Sequence, residues 1–229
     1  MTIKHEAKEI IDLSQPLITG KVWACDDHPS FKASCISHVD DGAFATVHSL
    51  SLATHTGTHL DAPYHFYSDG AKVDGLDLSL LTAAPAVVVD LRSKKPREKI
   101  TWGDLEKYKS GMRKGVALMV CTGWSKNWGQ THYNAQPYLD PDTASKILAT
   151  GVRVIGVDTM SPDLVTDEEG DCGHFHRAWL SKGAIIAENL NNLDRLLLID
   201  QEKLRVSLIP LNLVDCDGSP IRAVAWAEE

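Results

Sequence analysis

Five short apolar runs punctuate the chain. VVVDL (87–91), VALMVCT (116–122), VRVIGVD (152–158), AIIAENL (184–190) and VSLIPLNL (206–213) are rich in β-branched or aliphatic residues, and each gives way to polar or turn-forming ones. Runs of that length and make-up predict buried strands. Between them the pattern turns helical. TWGDLEKYKS opens on a threonine and places acidic residues in its first turn, where they cap free amides and face the positive end of the helix dipole. DPDTASKILATG has a proline near its start and Gly151 just past its end, the usual asymmetry of a helix. HFHRAWLSKG predicts a further helix before AIIAENL. The first 80 residues read as mainly β. Strands and helices alternate through the middle of the chain, so the pattern predicts an α/β fold. We expect one domain over residues 1–229, with a mixed sheet partly curled towards a barrel.

Composition narrows the picture without changing it. The 229 residues suffice for a proper core. At 43% hydrophobic and 24% charged the chain reads as an ordinary soluble protein. A net charge of -8, with no run of Lys and Arg, argues against nucleic acid or an anionic membrane as partner. No apolar stretch is long enough to span a bilayer. MTIKHEAKEIIDLSQPL lacks the pattern of a signal peptide. The cytoplasm is the expected location. Cys25, Cys35, Cys121, Cys172 and Cys216 are odd in number, and no C-x-x-C pair occurs. That disfavours both a disulfide framework and a thiolate zinc site.

The chemistry concentrates in residues 55–65, HTGTHLDAPYH. An extended strand advances about 3.3 Å per residue, which would hold His55 and His59 roughly 13 Å apart. The segment must turn if both are to reach one ion. Gly57 permits a tight turn, and Pro63 limits any regular element. A compact loop converging His55, His59 and Asp61 fits best, and imidazole plus carboxylate suits zinc, manganese or ferrous iron. The bland alternative for a lone histidine is a hydrogen-bonded core or surface residue. It holds for His5, His28, His38, His48 and His132, but not for so dense a cluster. Further on, DCGHFHRAWLSKGAIIAENL contains His174, His176 and Glu188. Glu188 follows an apolar run and needs a partner, because an unpaired buried charge is costly. A metal ion would serve; so would an ion pair with Arg177 or Lys182.

Residues 55–65 match every fixed position of H-x-G-T-H-x-D-x-P-x-H, and IIDLSQPL, CTGW, GVDTMSPD, HRAWLSKGAIIAENL and IPLNLVDCDGSPIRAVA extend the likeness over most of the chain. In these motifs the sequence resembles the metal-dependent cyclase-like hydrolases, whose best-known members are bacterial kynurenine formamidases, with isatin hydrolase a relative. The resemblance implies a swivelling β/β/α fold and a homodimer or homotetramer. It implies that His55, His59, Asp61, His176 and Glu188 are metal ligands and that His65 transfers protons. Two departures stand out. Arg177 occupies a position where many formamidases carry a second histidine, with His174 a candidate substitute, and GKVWACDDHPSF replaces their Pro-Trp-Pro-Gly-Asp-like stretch.

Five protein ligands exceed what one four-coordinate catalytic zinc uses. Either one ion is more highly coordinated, or Asp61 bridges two. The expected cofactor is therefore one or two divalent ions per chain, zinc or manganese, activating water against a small amide. His65 would pass that water's proton to the leaving nitrogen. Trp23, Trp124 and Trp128 are candidates for an aromatic wall around a flat substrate, with structural packing the alternative for each. N-formylkynurenine or a similar arylformamide is the first substrate expected. A cyclic amide such as isatin, or another lactam or ester, is the second. A metal-dependent binding protein without catalysis is a reading of another class, and the presence of His65 speaks against it. No G-x-S-x-G elbow, Walker loop or dinucleotide fingerprint occurs.

Overall fold

The computed structural model describes residues 9–20, 29–166 and 173–229. Thirteen strands occur among them: β1 (Ile11–Asp12), β2 (Lys32–Ser37), β3 (Val47–Ser51), β4 (His59–Asp61), β5 (Ala84–Asp90), β6 (Lys99–Ile100), β7 (Ala117–Cys121), β8 (Tyr138–Leu139), β9 (Val154–Val157), β10 (Ile185–Glu188), β11 (Leu204–Ser207), β12 (Gly218–Pro220) and β13 (Val224–Ala227). The helices are α1 (Trp102–Leu105), α2 (Pro141–Ala149), α3 (His174–Leu180) and α4 (Leu193–Leu196).

Nine strands form one mixed sheet in the order β1-β13-β11-β5-β7-β9-β10-β4-β12, curled into a half-barrel. Its centre, β5-β7-β9-β10, is parallel, and antiparallel strands extend it on both sides. The parallel strands are the apolar runs of the sequence, because a strand covered on both faces must be apolar at nearly every position. Alternation assigns the faces. Ala84, Ala86 and Val88 of β5 and Ala117, Met119 and Cys121 of β7 join one core with Leu60, Leu196 and Val206. Val87, Val89, Leu118 and Val120 point the other way, into a core closed by Ile147 of α2 and Phe175 and Trp179 of α3. Each buried Val, Leu, Ile or Met among them stabilises the fold by about 1.5–3 kcal/mol relative to exposure.

The helix signals operate as their residues dictate. The Asp104 carboxylate accepts from the Thr101 amide at 2.7 Å. Asp140 caps α2 by accepting from the Asp142 amide at 3.1 Å. Two expectations fail. The described residues among the first 80 are mostly loops and 3-10 turns, with four short strands among them. The run 206–213 stops being a strand at Ser207, and beyond it only an isolated bridge joins Pro210 to Ile221. Pro210 cannot donate to a ladder, so the apolar run exceeds the strand it feeds.

Candidate metal centre

The site lies where the sheet changes from parallel to antiparallel. In the β4–β10 pair Glu188 stands opposite His59, and Ile186 opposite Asp61. Opposed residues share a face, and so do residues two apart on one strand. His59, Asp61 and Glu188 therefore project together from two adjacent short strands. On the other side of β4, Gly218 of β12 stands opposite Asp61. A Cβ there would lie 2.6 Å from His55 Cε1, so the glycine makes room for the first histidine of the cluster.

The turn that brings His55 close is centred on Gly57, whose φ is +65°. Its carbonyl accepts from His59 Nδ1 at 2.9 Å. His59 Nε2 is thereby turned inwards, 3.3 Å from Asp61 Oδ1 and 3.3 Å from Glu188 Oε2. His55 places Nδ1 2.7 Å from Asp61 Oδ1 and Nε2 2.7 Å from Asp217 Oδ2. His176 comes from the first turn of α3. Its Nδ1 donates to Asp163 Oδ2 at 2.5 Å, and the same carboxylate accepts from the Phe175 and His176 amides. His176 Nε2 then faces Asp61 Oδ2 at 3.3 Å and Glu188 Oε1 at 3.2 Å. Each of the three imidazoles thus keeps one nitrogen on an outer acceptor and the other inside, which is how ligating histidines are commonly oriented.

Of three donor groups that could hold an ion, the outer one is His55, His65 and Asp217, and the two inner ones share Asp61. One is His55, His59 and Asp61; the other is Asp61, His176 and Glu188. The residues fit a divalent cation on the chemistry of the donors and on one further observation. Asp61 Oδ2 and Glu188 Oε1 are buried and accept no hydrogen bond among the described residues, although His176 Nε2 is near both. Buried carboxylate oxygens without donors are expensive, and a cation removes the cost. The electrostatics agree. Burial opposes charge on the imidazoles, but hydrogen bonds with Asp217 and Asp61 raise His55 to about 9. Asp61 and Glu188 raise His59 to about 10. Asp163, Asp61 and Glu188 likewise hold His176 well above the ordinary histidine range. Asp61 is opposed by its own burial, yet His176, His55 and His59 hold it well below the usual carboxylate range. The positive charge that these carboxylates favour on the imidazoles is the charge a metal would supply.

His65 closes the cluster without joining the inner groups. Its ring lies 4.0 Å from that of His55, and its Nδ1 is 3.1 Å from Asp217 Oδ2. Burial lowers its pKa. His174, at the exposed start of α3, lies outside both inner groups. Arg177 sits over the Phe66 ring at 5.1 Å, and Phe66 in turn stacks on His176. The carboxylate of Glu188 is met by His59 and His176. Trp23 lies outside the described residues. Trp124 is buried, with its indole N–H on the Tyr133 carbonyl at 2.7 Å. Asp158 caps the CTGW turn through the Thr122 and Gly123 amides. Sequence reasoning makes neither Asp163 nor Asp217 a site residue: Asp163 ends the GVDTMSPD motif, and the DGSP turn that opens at Asp217 reads as structural. The available signal was the need of every buried histidine for an acceptor on its second nitrogen.

Comparison with known proteins gives the same picture. The family model described as "Putative cyclase" matches residues 11–164. A kynurenine formamidase from Bacillus cereus is 34% identical over 220 residues, covering 96% of this chain and 98% of its own. Isatin hydrolase A from Ralstonia solanacearum superposes with a TM-score of 0.81 at 23% identity, over 96% of this chain and 92% of that one. A predicted metal-dependent hydrolase from Bacillus stearothermophilus does so with a TM-score of 0.72 at 22% identity, over 96% and 98%. The family match runs through the whole histidine–aspartate segment of the site, and the formamidase likeness continues past Glu188 to cover nearly all of the chain: the protein belongs to the cyclase family.

Proposed function

We propose that this protein is a metal-dependent amide hydrolase acting on N-formylkynurenine or a similar arylformamide, and that it works as one domain. The observation that carries the reading is the convergence of three histidines on two buried carboxylates, each of which has one oxygen that accepts no hydrogen bond among the described residues. The similarity to formamidases supports the substrate class. His55, His59, Asp61, His176 and Glu188 are the proposed ligands, and Asp61, common to both groups, would bridge if two ions bind. Zinc suits this mixture of nitrogen and carboxylate donors, with manganese next. When bound, such an ion polarises the scissile carbonyl and lowers the pKa of water at the site.

The remaining steps belong to the protein. His65 directs Nδ1 at Asp217, so Nε2 is the nitrogen that exchanges protons. It takes a proton from the attacking water and delivers it to the leaving aryl nitrogen as the carbon–nitrogen bond breaks. Formate and a free arylamine result. Phe66, between His176 and Arg177, limits water on that side. We also propose that the protein is a homodimer or homotetramer. In its β2–β3 hairpin β3 is exposed throughout and β2 at half of its positions, with Ile36 and Leu50 among the exposed residues and Phe44 fully exposed in the connection.

The test is turnover of N-formylkynurenine and of isatin by metal-free, zinc-loaded and manganese-loaded protein, in wild type and His65→Ala. We expect metal-dependent hydrolysis of the formamide. His65→Ala should keep its metal and lose about 10²–10⁴ in kcat. Full activity after the metal is stripped would overturn the reading. Preferential hydrolysis of isatin would move it to a cyclic amide.

A further inference from the structure

We propose that Asp217 is a positioning residue that sets the tautomers of His55 and His65 together. The inference rests on the roles given above to those two histidines. Asp217 lies in the turn before β12, more than 150 residues beyond His65 in sequence. The turn is tied to the signature segment, since the Asp217 carbonyl accepts from the Ala62 amide at 2.9 Å. Its side chain is held as well. Oδ1 accepts from Thr54 Oγ1 at 3.1 Å, which leaves Oδ2 for the imidazoles. Oδ2 is 2.7 Å from His55 Nε2 and 3.1 Å from His65 Nδ1. One carboxylate oxygen has two acceptor sites, enough for both N–H groups. The next residue presses against the same ring, because Gly218 has no room for a Cβ beside His55.

The consequence follows from imidazole chemistry. A neutral ring that donates from one nitrogen presents a lone pair on the other. Asp217 therefore makes His55 a donor at Nε2; without a metal Nδ1 also donates to Asp61 Oδ1, 2.7 Å away, and once that inner proton is lost the Nδ1 lone pair would be the one offered to an ion. It makes His65 a donor at Nδ1 and frees Nε2 as the base. A base held by a carboxylate on its other nitrogen is the logic of a nucleophile–histidine–aspartate relay, applied here to water. Here the same oxygen also serves a metal ligand, so metal affinity and proton transfer share one support.

The experiment uses the full chain loaded with zinc. Asp217→Asn keeps the size of the side chain but presents at most one acceptor oxygen where two N–H groups converge. We expect it to fold, with an unchanged circular dichroism spectrum, and to lose about 10- to 100-fold in zinc affinity against a competing chelator. At saturating zinc, kcat on formanilide should fall about 10- to 100-fold with KM nearly unchanged. In a His65→Ala background the same substitution should cost less than about 3-fold in kcat, since groups that act as a unit are not additive. Losses that multiply in full would overturn the link to His65, and unchanged zinc affinity would overturn the link to His55. A variant that fails to fold does not end the test. Nitrogen-15 spectra of histidine-labelled wild type should show the His65 proton on Nδ1, and a proton on Nε2 would overturn the proposal. A wild type that hydrolyses none of N-formylkynurenine, formanilide and isatin sinks the functional reading instead, and Asp217 is then judged on zinc affinity and the His65 tautomer.

Discussion

At the scale of single residues, the site is a contest between protons and metal. With His55 raised to about 9 and His59 to about 10, the metal-free fold binds more protons than the unfolded chain above the ordinary histidine pKa of 6.5. The sign then follows. Each raised histidine contributes stability that is fully present below about pH 6.5 and is lost as pH rises through its folded pKa. Metal-free protein should therefore melt at progressively lower temperature between about pH 6.5 and 10. Zinc binding at pH 7.5 should release protons, and apparent zinc affinity should climb across the same window. Calorimetric titration in buffers of different ionisation enthalpy measures the release. Binding without proton release would show that the inner nitrogens are already unprotonated. Three of the proposed ligands, His55, His59 and Asp61, are legible in sequence because they crowd into eleven positions, and His176 and Glu188 are legible through the family motifs. Their supports are not. Asp163 and Asp217 sit in ordinary-looking turns, SPD and CDGSP, and only the folded chain brings them to the histidines.

Among elements, β4 does most with least. It is three residues long, entirely buried and paired on both edges. Its register against β10 places Glu188 opposite His59, and its register against β12 places Gly218 opposite Asp61. Sequence periodicity could read the parallel strands, since burial on both faces leaves an unbroken apolar run. It could not read β4, whose side chains are dictated by chemistry, nor the N-terminal region, where β-prone residues serve loops and an exposed hairpin. The run from Val206 to Leu213 misled for the opposite reason: its apolar residues continue past the last strand pairing. Gly218→Ala tests the register directly. The added methyl would lie 2.6 Å from His55 Cε1 and 2.9 Å from the Leu60 carbonyl. Overpacking of this kind costs about 1–3 kcal/mol. We expect a lower melting temperature together with weaker metal binding. Full zinc affinity in this variant would mean that His55 can be displaced without consequence.

Over the whole molecule, two cores hold the sheet from both sides, and the β2–β3 hairpin stands apart from them. Phe44 and Leu50 on that hairpin are exposed apolar groups. If a second copy covers them, Phe44→Ser with Leu50→Ser should shift the light-scattering mass towards the monomer while leaving the circular dichroism spectrum intact. An unchanged mass would place the contact between copies elsewhere.

The depth of the proposed ligand set has a consequence of its own. His59, Asp61, His176 and Glu188 are each less than a tenth exposed, and they come from separate stretches of chain laced together by the sheet. If these residues and His55 hold an ion, its release requires several of them to let go together, and those on β4 and β10 do so only in the rare excursions that open a core. Trading one ion for another therefore runs on the clock of local unfolding, not of diffusion. The protein should keep a record of its birth: cells rich in manganese should yield manganese protein that, moved into dilute zinc, changes its cargo over hours. Isotope exchange followed by mass spectrometry would time it, and turnover within seconds would mean that the ion reaches solvent by some shorter way.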